Sequence, residues 1–294
     1  MHPHLIQDLR LLWRVLCRAP GNINAAPPAK EDQLLKEVFL SVSETASDVL
    51  RKLCQEEAAL KAGATLSAKD SAPQVEVFMS PVAEPLETLG VRAAHQTAPG
   101  TVLAFYPGRI FYGDEKNLPL SNMLFSNEYE GVSMDGAGWY PKHLQNEVSI
   151  REQLPKTVLW HGNRLAVGNL CNHPPKGTFP NVVPMAFRWP SWQELGQETP
   201  AHWARLIPHV AVRGGQIVHT ASGPKHTEPG KEKEFFPPWP FLGMALVAIR
   251  PIAMKEELFW NYRLHPRADE VVGKYPPWYT PVDDLALEQV VAAR

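Results

Sequence analysis

The sequence predicts an α+β fold in which a helical N-terminal region precedes a β-rich domain. Apolar residues recur every three or four positions over much of the first 63 residues, which is typical of amphipathic helices. Beyond residue 70 the chain changes to short apolar runs bounded by glycine and proline, a pattern typical of strands. Proline accounts for 29 of the 294 residues, about twice the usual share of roughly 5%, and most prolines lie in this second part. We therefore expect short strands joined by long ordered loops.

Composition narrows the class of protein. The net charge is −2, so no field of the whole molecule attracts nucleic acid or an anionic membrane. The three cysteines (Cys17, Cys54 and Cys171) form no Cys-x-x-Cys pair, so we expect no disulfide framework, zinc cluster or other bound metal. No apolar run reaches the roughly 18 residues that a membrane span requires. We expect protein partners, either as substrates or as subunits of a larger assembly, and no nucleic acid.

Residues 1–24 are predicted to be an amphipathic helix or a targeting segment. Leucines at positions 5, 9, 12 and 16 share one face, and arginines at 10, 14 and 18 recur on another. One acidic residue against three arginines is typical of a mitochondrial transit peptide. An internal address or a helix docked on a partner would give the same pattern. With no basic nuclear-type run, we expect an intracellular protein that is mitochondrial rather than nuclear.

Residues 30–63 are predicted to form a helical hairpin. Apolar residues at helical spacing occupy positions 34–42 and again 49–60. Between them lies Ser43-Glu44-Thr45, which we expect to end the first helix, with Thr45 or Ser47 as the cap of the second.

Strands are predicted at three places in the second part. Residues 75–79 form a short β-prone run, and residues 101–112 form two strands that Gly100, Pro107 and Gly108 bound. Residues 242–249 are continuously apolar, which indicates a strand that is buried on both faces. A short acidic helix is expected at 283–293.

Two stretches carry most of the functional signal. The first, residues 164–187, contains Asn172-His173, a loop rich in proline and glycine, then Pro180-Asn181 and an apolar run. The loop prolines exclude a helix, so Asn172 and His173 lie on irregular backbone that exposes its own N–H and C=O groups to a ligand. The second stretch, residues 246–262, ends in Glu-Glu-Leu-Phe-Trp-Asn-Tyr, with Tyr262 last.

Together the two stretches resemble the end of a SET domain, the fold of protein lysine methyltransferases. That family combines an Asn-His pair, a nearby Pro-Asn pair and a Glu-Glu-Leu followed four residues later by a tyrosine. The sequence is similar in particular to the branch of SET domain-containing protein 9, through Leu-Ala-Val-Gly at 165–168 and Glu-Glu-Leu-Phe-x-Asn-Tyr at 256–262. The resemblance covers residues 88–264. It implies a SET domain at 75–265 with inserts, short sheets and a knot-like C-terminal threading, followed by a tail at 266–294.

The resemblance implies S-adenosylmethionine as the cofactor. Asn172 would bind the amino and carboxylate ends of that molecule through its amide, and His173 would contact the adenine mainly through its backbone. Asn169 belongs to the same predicted cofactor site, as does Gly100, which stands in for the usual Gly-x-Gly turn. Asn181 would instead tie the loop to the chain after Glu257. The threading further implies that residues 169–172 and 259–262 are in contact.

The catalytic residues implied by the resemblance are Tyr262 and Tyr106. The Tyr262 hydroxyl would accept weak C–H contacts from the transferred methyl group, although a structural tyrosine with a buried hydroxyl is the alternative. Tyr106 would line the lysine pocket or, equally, be a half-buried strand residue. The predicted substrate channel contains Phe259, Trp260 and Trp278, with Tyr275 and Tyr279 as further candidates for the aromatic residue that closes it.

The position of the Trp260 side chain decides between the two functions that the sequence leaves open, an enzyme and a subunit without turnover. Most SET domains have Phe or Tyr at this position, so an indole either restricts the product to monomethyllysine or fills the channel. We expect the indole to point away from Tyr262 and the channel to stay open. The protein is then an S-adenosylmethionine-dependent protein-lysine N-methyltransferase. The alternative is a SET-like protein without turnover that serves as a structural or interaction subunit of a larger assembly.

Overall fold

The computed structural model of the chain describes residues 3–17, 27–63, 75–82, 89–112, 124–127, 132–155, 157–190, 194, 204–213, 216–220, 223–224, 242–263, 275 and 278–292. These residues combine two long N-terminal helices with several small sheets, which confirms the predicted α+β class. No helix in the described part of the chain is long and apolar enough to cross a membrane.

The helices are α1 (Pro3–Leu16), α2 (Glu31–Lys61), α3 (Val148–Arg151) and α4 (Asp284–Ala292), with 3₁₀ helices at Lys142–Asn146 and Gly168–Leu170. The prediction of a hairpin at 30–63 is wrong, because α2 is a single helix of 31 residues. The hydroxyls of Thr45 and Ser47 donate to the carbonyls of Ser41 and Ser43 one turn earlier, so these residues fit inside the helix instead of capping a new one. The buried stripe continues through Ala46, which joins its two apolar halves.

Helix α1 packs on its own chain. Leu9, Leu11 and Leu12 are completely buried, and the Trp13 indole donates to a carboxylate oxygen of Glu37 in α2 at 2.8 Å. Helix α1 also contacts α4. The structure shows this segment as an amphipathic helix packed on the rest of the chain. A targeting role, docking on a partner and the cellular location stay predictions.

The strands are β1 (Val75–Met79), β2 (Leu89–Ala93), β3 (Val102–Phe105), β4 (Gly108–Tyr112), β5 (Leu124–Asn127), β6 (Val132–Asp135), β7 (Trp139–Pro141), β8 (Leu159–His161), β9 (Val182–Arg188), β10 (His209–Arg213), β11 (Gln216–Thr220), β12 (Gly223–Pro224) and β13 (Leu242–Ala248). Strand β13 lies between β3 and β9 in one antiparallel sheet. A second sheet has the order β12-β11-β10-β4-β6-β5, and the pairs β1-β2 and β7-β8 stand apart from both. The strands predicted near 75–79 and 242–249 are confirmed, and the central place of β13 explains its apolar sequence.

Strands β3 and β4 follow each other in the chain but belong to different sheets. The chain changes sheets at Tyr106-Pro107, because the Tyr106 N–H donates to Met244 in β13 while the Gly108 N–H donates to Pro208 beside β10. Gly108 has φ of +145°, which favours glycine, and Pro107 has no N–H to continue a ladder. The sequence marks this turn correctly but does not show that it leads into another sheet.

Candidate functional site

The two stretches that carry the motifs lie side by side. Asn172 and Phe259 form a parallel bridge, and the Trp260 N–H donates to the Asn172 carbonyl at 3.1 Å. On the other side of this segment, the N–H groups of Asn181 and Val182 both donate to the Phe259 carbonyl. The predicted contact between residues 169–172 and 259–262 is confirmed. The knot-like threading of the chain stays a prediction.

The Asn181 side chain fastens the second stretch in place. It is fully buried; its Oδ1 accepts from the Phe259 N–H at 2.8 Å, and its Nδ2 donates to the Glu257 carbonyl at 2.7 Å. A further contact of 3.2 Å reaches a carboxylate oxygen of Glu256. The Asn181 amide thus bonds the backbone of residues 257–259 as a neighbouring strand would. The sequence analysis predicted that Asn181 holds the loop to this segment.

Asn172 belongs to a polar cluster with Glu257 and Ser80. The Asn172 Nδ2 donates to the Leu89 carbonyl at 3.1 Å and to the Glu257 carboxylate at 2.9 Å. Ser80 Oγ lies 2.8 and 2.9 Å from the two oxygens of the same carboxylate. Burial raises the pKa of Glu257, although the hydrogen bonds from Asn172 and Ser80 oppose that effect. Both amide hydrogens of Asn172 are therefore engaged, and its Oδ1 is the acceptor that remains.

Gly90 is a site residue that the sequence interpretation missed. A Cβ atom at this position would lie 2.5 Å from a Glu257 carboxylate oxygen and 3.1 Å from the Asn172 amide nitrogen. Only glycine lets the β2 backbone approach the cluster this closely. A glycine inside a strand is the sequence signal of such an approach, and it was present at this position.

Gly100, which was predicted to lie against the cofactor, belongs to a different contact. Its φ is +82° and its N–H donates to the Ala248 carbonyl at 2.8 Å, so it forms the turn that leads into β3. A Cβ atom there would lie 3.0 Å from the Val15 carbonyl and 3.3 Å from the Leu16 side chain of α1. The end of helix α1 thus packs against this turn, and the role of Gly100 in a cofactor site stays a prediction.

His173 connects three segments of the chain. Its Nε2 lies 2.8 Å from the Thr280 carbonyl and must donate to it, while its Nδ1 accepts from the Tyr262 N–H at 3.4 Å. Tyr279 packs against the imidazole, with ring centroids 4.3 Å apart. Burial lowers the pKa of His173, against the effect of the backbone hydrogen bonds. A neutral ring with both nitrogens occupied positions the loop and the tail, and does not serve as a base.

Tyr262 and Trp260 share one acceptor, the carbonyl of Cys171. The Tyr262 hydroxyl donates to it at 2.8 Å and the Trp260 indole N–H at 3.0 Å, and the two ring centroids are 5.0 Å apart. The expectation that Trp260 points away from Tyr262 is therefore wrong. The reason is that the buried indole N–H finds its partner on the same carbonyl. A backbone carbonyl carries no sequence signal, so this arrangement was not predictable.

Tyr106 and Asn169 meet the loop that follows β6. Tyr106 is 2% exposed, more deeply buried than predicted, and its ring lies edge-on to Trp260 at a centroid distance of 6.3 Å. The Asn169 Nδ2 donates to the carbonyls of Gly136 and Trp139 at 2.9 and 3.0 Å. The amide nitrogen of Asn169 therefore holds this loop, whereas Asn172 faces the Glu257 carboxylate.

The tail brings further aromatic rings to Tyr262. Trp278 lies edge-on to it with centroids 6.3 Å apart, and Tyr279 contacts both Trp278 and Tyr275 at centroid distances of 6.0 and 5.0 Å. Trp278 is 38% exposed, so the group reaches the surface. Phe259, the remaining channel candidate, is buried and contributes backbone hydrogen bonds to Asn181, and its role in a channel stays a prediction.

Comparisons with known proteins give distant likenesses. No family model and no curated protein matches the sequence. Among solved structures, the chain is similar to KRYPTONITE in complex with DNA, a histone H3 peptide and S-adenosylhomocysteine, with 13% identity over 69% of this chain and a TM-score of 0.32. It is also similar to the Chaetomium thermophilum Polycomb Repressive Complex 2 bound to S-adenosylmethionine, with 15% identity over 74% of this chain and a TM-score of 0.33.

Both structures contain SET-domain methyltransferases. The chain spans 25% of the first matched chain and 18% of the second. Likenesses at this identity and TM-score do not establish the family, cofactor or activity of this chain. In the described part of the chain, no group of three or more His, Cys, Asp or Glu side chains is placed to hold a metal ion.

Proposed function

We propose that this chain is an S-adenosylmethionine-dependent protein-lysine N-methyltransferase of the SET type, from the branch of SET domain-containing protein 9. The observation that carries the proposal is the fixed orientation of the Asn172 amide. Its two hydrogens are held by the Leu89 carbonyl and Glu257, so Oδ1 is left as an acceptor. An acceptor oriented in this way suits the ammonium group of the methionine moiety.

Gly90 supports the same assignment. Its missing side chain brings the β2 backbone up to Asn172 and Glu257, and a Cβ atom would fill that space. The cluster is anchored independently by Ser80 on Glu257, so Asn172 does not need the ligand to hold its position. A site whose geometry exists before binding loses less entropy when the ligand arrives.

Tyr262 has the geometry of a group that directs methyl transfer. When bound, S-adenosylmethionine would supply a methyl group from its positively charged sulfur to the neutral lysine nitrogen, which would lose a proton to solvent afterwards. The Tyr262 hydroxyl hydrogen is held by the Cys171 carbonyl, so its oxygen lone pairs are directed away and are able to accept C–H contacts. The rings of Trp260 and Trp278 beside it provide an apolar surrounding that favours the uncharged amine.

A specific observation favours a second candidate, a SET-like subunit without turnover in a larger assembly. The Trp260 indole packs between Tyr106 and Tyr262 and takes the same carbonyl as the Tyr262 hydroxyl. An indole in this place occupies volume where a lysine side chain would have to approach Tyr262. This candidate predicts that the chain transfers no methyl group, whether or not it binds the cofactor.

Calorimetric titration with S-adenosylmethionine tests the cofactor assignment. We expect the wild-type chain to bind and Asn172→Ala to weaken binding by about tenfold or more, which corresponds to about 1.4 kcal/mol. Asn163→Ala is the matched control, because Asn163 is also a buried amide, donating to Leu206 and accepting from Leu165, but lies outside the cluster. Equal weakening by both variants would assign the effect to general destabilisation and would contradict the role of Asn172.

Transfer of labelled methyl groups to a total protein extract tests turnover. Tyr262→Phe should lower the rate by about 100-fold or more and leave cofactor binding unchanged, because only the hydroxyl that faces the methyl group is lost. Stability should fall by about 1 kcal/mol, the typical value of one hydrogen bond. Binding without transfer in the wild-type chain would favour the subunit.

Mitochondrial location is part of the proposal, and a fusion of residues 1–25 to a fluorescent reporter that stays diffuse in the cytosol would contradict it.

A further inference from the structure

We propose that helix α1 sets the position of Tyr262 through the ion pair between Asp8 and Arg263, which makes these two side chains positioning residues. The catalytic part of this inference rests on the proposed methyltransferase function. The structural part does not, because it concerns the order of the chain around Tyr262.

The ion pair joins distant parts of the sequence at the edge of the site. Asp8 Oδ1 lies 2.5 Å from a guanidinium nitrogen of Arg263, the residue that directly follows Tyr262. The two side chains are 12% and 20% exposed. An ion pair with this little solvent contact is screened weakly by salt, and removing one partner leaves the other charge in a poorly solvated place.

The backbone conformation at Arg263 is one that a contact from outside the turn would help to stabilise. Its φ is +50°, in the left-handed region that non-glycine residues rarely adopt. A local contact at this turn is the hydrogen bond from the Arg263 N–H to the Asn261 side-chain oxygen at 3.1 Å. This left-handed conformation lies one residue after Tyr262, so a change in the Arg263 backbone would shift the backbone that carries the phenol ring.

Helix α1 is itself held at several points, so it can act as a fixed support. Its last turn lies against Gly100, at the start of the strand that pairs with β13. Leu9, Leu11 and Leu12 are fully buried around the acidic residue. The helix also contacts α4, which begins soon after the Thr280 carbonyl that holds His173. Both segments that converge on the aromatic rings of the site, residues 259–263 and the tail, therefore touch the same helix.

The experiment measures backbone hydrogen exchange in the 294-residue chain without cofactor. Asp8→Asn removes the charge while keeping the size, and we expect exchange in residues 258–263 to rise by about tenfold, the equivalent of about 1.4 kcal/mol of local opening. Glu56→Gln is the matched control, because it breaks a comparably buried ion pair, to Arg164, whose side chains are 7% and 32% exposed. This control should leave exchange at 258–263 unchanged.

The charge-swapped pair Asp8→Arg with Arg263→Asp provides the rescue. It should restore slow exchange at 258–263, whereas each single change should not. Unchanged exchange in Asp8→Asn, an equal increase in Glu56→Gln, or an increase spread over the whole domain would each overturn the proposal. If Asp8→Asn fails to fold, recovery of both folding and local protection in the swapped pair supports the inference, and recovery of folding alone contradicts it.

Measurement of kcat and KM distinguishes a failure of this inference from a failure of the proposed function. In a chain that transfers methyl groups, Asp8→Asn should lower kcat by about tenfold with little change in KM for S-adenosylmethionine, because Tyr262 is displaced while Asn172 is not. If the wild-type chain shows no transfer at all, the proposed function fails. The exchange data still decide the inference in that case.

Discussion

Two groups of buried polar side chains in this molecule differ in how completely their hydrogen-bonding capacity is used. The first, which we call the motif cluster, consists of Asn172, Asn181 and Glu257. The second, the histidine cluster, consists of His161, His209, Trp139 and Trp189. Asn172, Asn181 and the four rings of the histidine cluster are all buried, whereas Glu257 is half-buried, and the polar atoms of the two clusters have very different surroundings.

In the motif cluster each side chain has several partners. Asn181 alone bonds the Phe259 N–H, the Glu257 carbonyl and the Glu256 carboxylate. Asn172 and Ser80 both bond Glu257. Buried polar groups that are satisfied in this way fix one geometry, because any displacement leaves several of them unpaired at once.

In the histidine cluster, both ring nitrogens of His161 and His209 and the indole nitrogens of Trp139 and Trp189 make no hydrogen bond of good geometry to the described residues. Backbone groups of Asn163 and Ala166 lie near His161, and one of Gly108 lies near His209, and they raise the pKa of these rings weakly against the effect of burial. Trp139 stacks on His161 with centroids 6.2 Å apart, and Trp189 lies edge-on to His209 at 5.5 Å. Burial, with the neighbouring His209 and His143, lowers the pKa of His161 to about 3, and burial lowers that of His209 to about 3 as well.

The difference assigns separate roles to the two clusters. A satisfied cluster stabilises the fold and defines a site, whereas unsatisfied buried groups reduce stability by about 1–3 kcal/mol each. Substitutions in the motif cluster should therefore damage stability and cofactor binding together. Substitutions in the histidine cluster should change stability and its dependence on pH while leaving the site intact.

The largest effect is expected for Asn181→Leu, which keeps the approximate volume but removes the amide. The Phe259 N–H and the Glu257 carbonyl would be left unpaired in the interior, so we expect the free energy of unfolding to fall by about 3–5 kcal/mol. Urea unfolding measures this value. A loss below about 1 kcal/mol would mean that the backbone rearranges around position 181, and the cluster would not fix the geometry as described.

An intermediate effect is expected from acid. The folded-state pKa of His161 and of His209 is about 3, below the unfolded value of about 6.5, so the unfolded chain binds more protons between these limits. Stability is therefore fully present above pH 6.5 and falls as the pH drops, approaching about 1.4 kcal/mol per pH unit for each histidine. Between pH 6.5 and 5.5, where carboxylates hardly titrate, we expect a loss of roughly 2 kcal/mol in urea unfolding.

The double variant His161→Phe with His209→Phe is the control for the acid effect. It should remove most of the dependence of stability on pH over the same range, because neither ring remains to be protonated in the unfolded chain. His143 and His173, whose pKa values are also lowered by burial, account for the remainder. A wild-type stability that stays constant between pH 6.5 and 5.5 would show that these histidines are protonated or solvated in the folded protein.

The smallest effect is expected for His161→Phe alone at pH 7.5. Replacing an unsatisfied polar ring with an apolar ring of similar shape is often neutral or stabilising, so the change should lie within about 1 kcal/mol of wild type. The comparison with Asn181→Leu is direct, since both changes remove a buried polar side chain. A loss of about 3 kcal/mol would indicate that His161 has a partner, such as an ordered water, and that the contrast between the clusters is smaller than described.

The sequence predicted those parts of the molecule that depend on side-chain pattern. The continuous apolar run of β13 predicted a central strand, and the motifs around Asn172 and Tyr262 predicted that two stretches about 90 residues apart in the chain lie in contact. The tying role of Asn181 was also predicted. The apolar residues of β13 indicated the strand by themselves, whereas the contact and the role of Asn181 were implied by the resemblance to SET domains.

The parts that the sequence did not predict depend on backbone groups and on competing local bonds. The carbonyl of Cys171 holds Tyr262 and Trp260, and the carbonyl of Thr280 holds His173, yet neither carbonyl depends on its own side chain. Thr45 remains helical because it bonds the preceding turn, which its general preference for caps does not show.

Gly90 and Gly100 illustrate the same limit. The sequence does not distinguish their roles, because one lies beside Glu257 and the other beside helix α1 only in the folded chain.

A crystal structure of the chain with S-adenosylhomocysteine tests the central claim most directly, because it shows whether the two contacting stretches hold the cofactor. The account predicts the amino nitrogen of the ligand about 2.7–3.2 Å from Asn172 Oδ1. It also predicts that the Asn172 Nδ2 still donates to Leu89 and Glu257, and that the ligand sulfur faces the Tyr262 hydroxyl. Ligand density elsewhere in the protein, or none beside Asn172 at saturating concentration, would contradict the account.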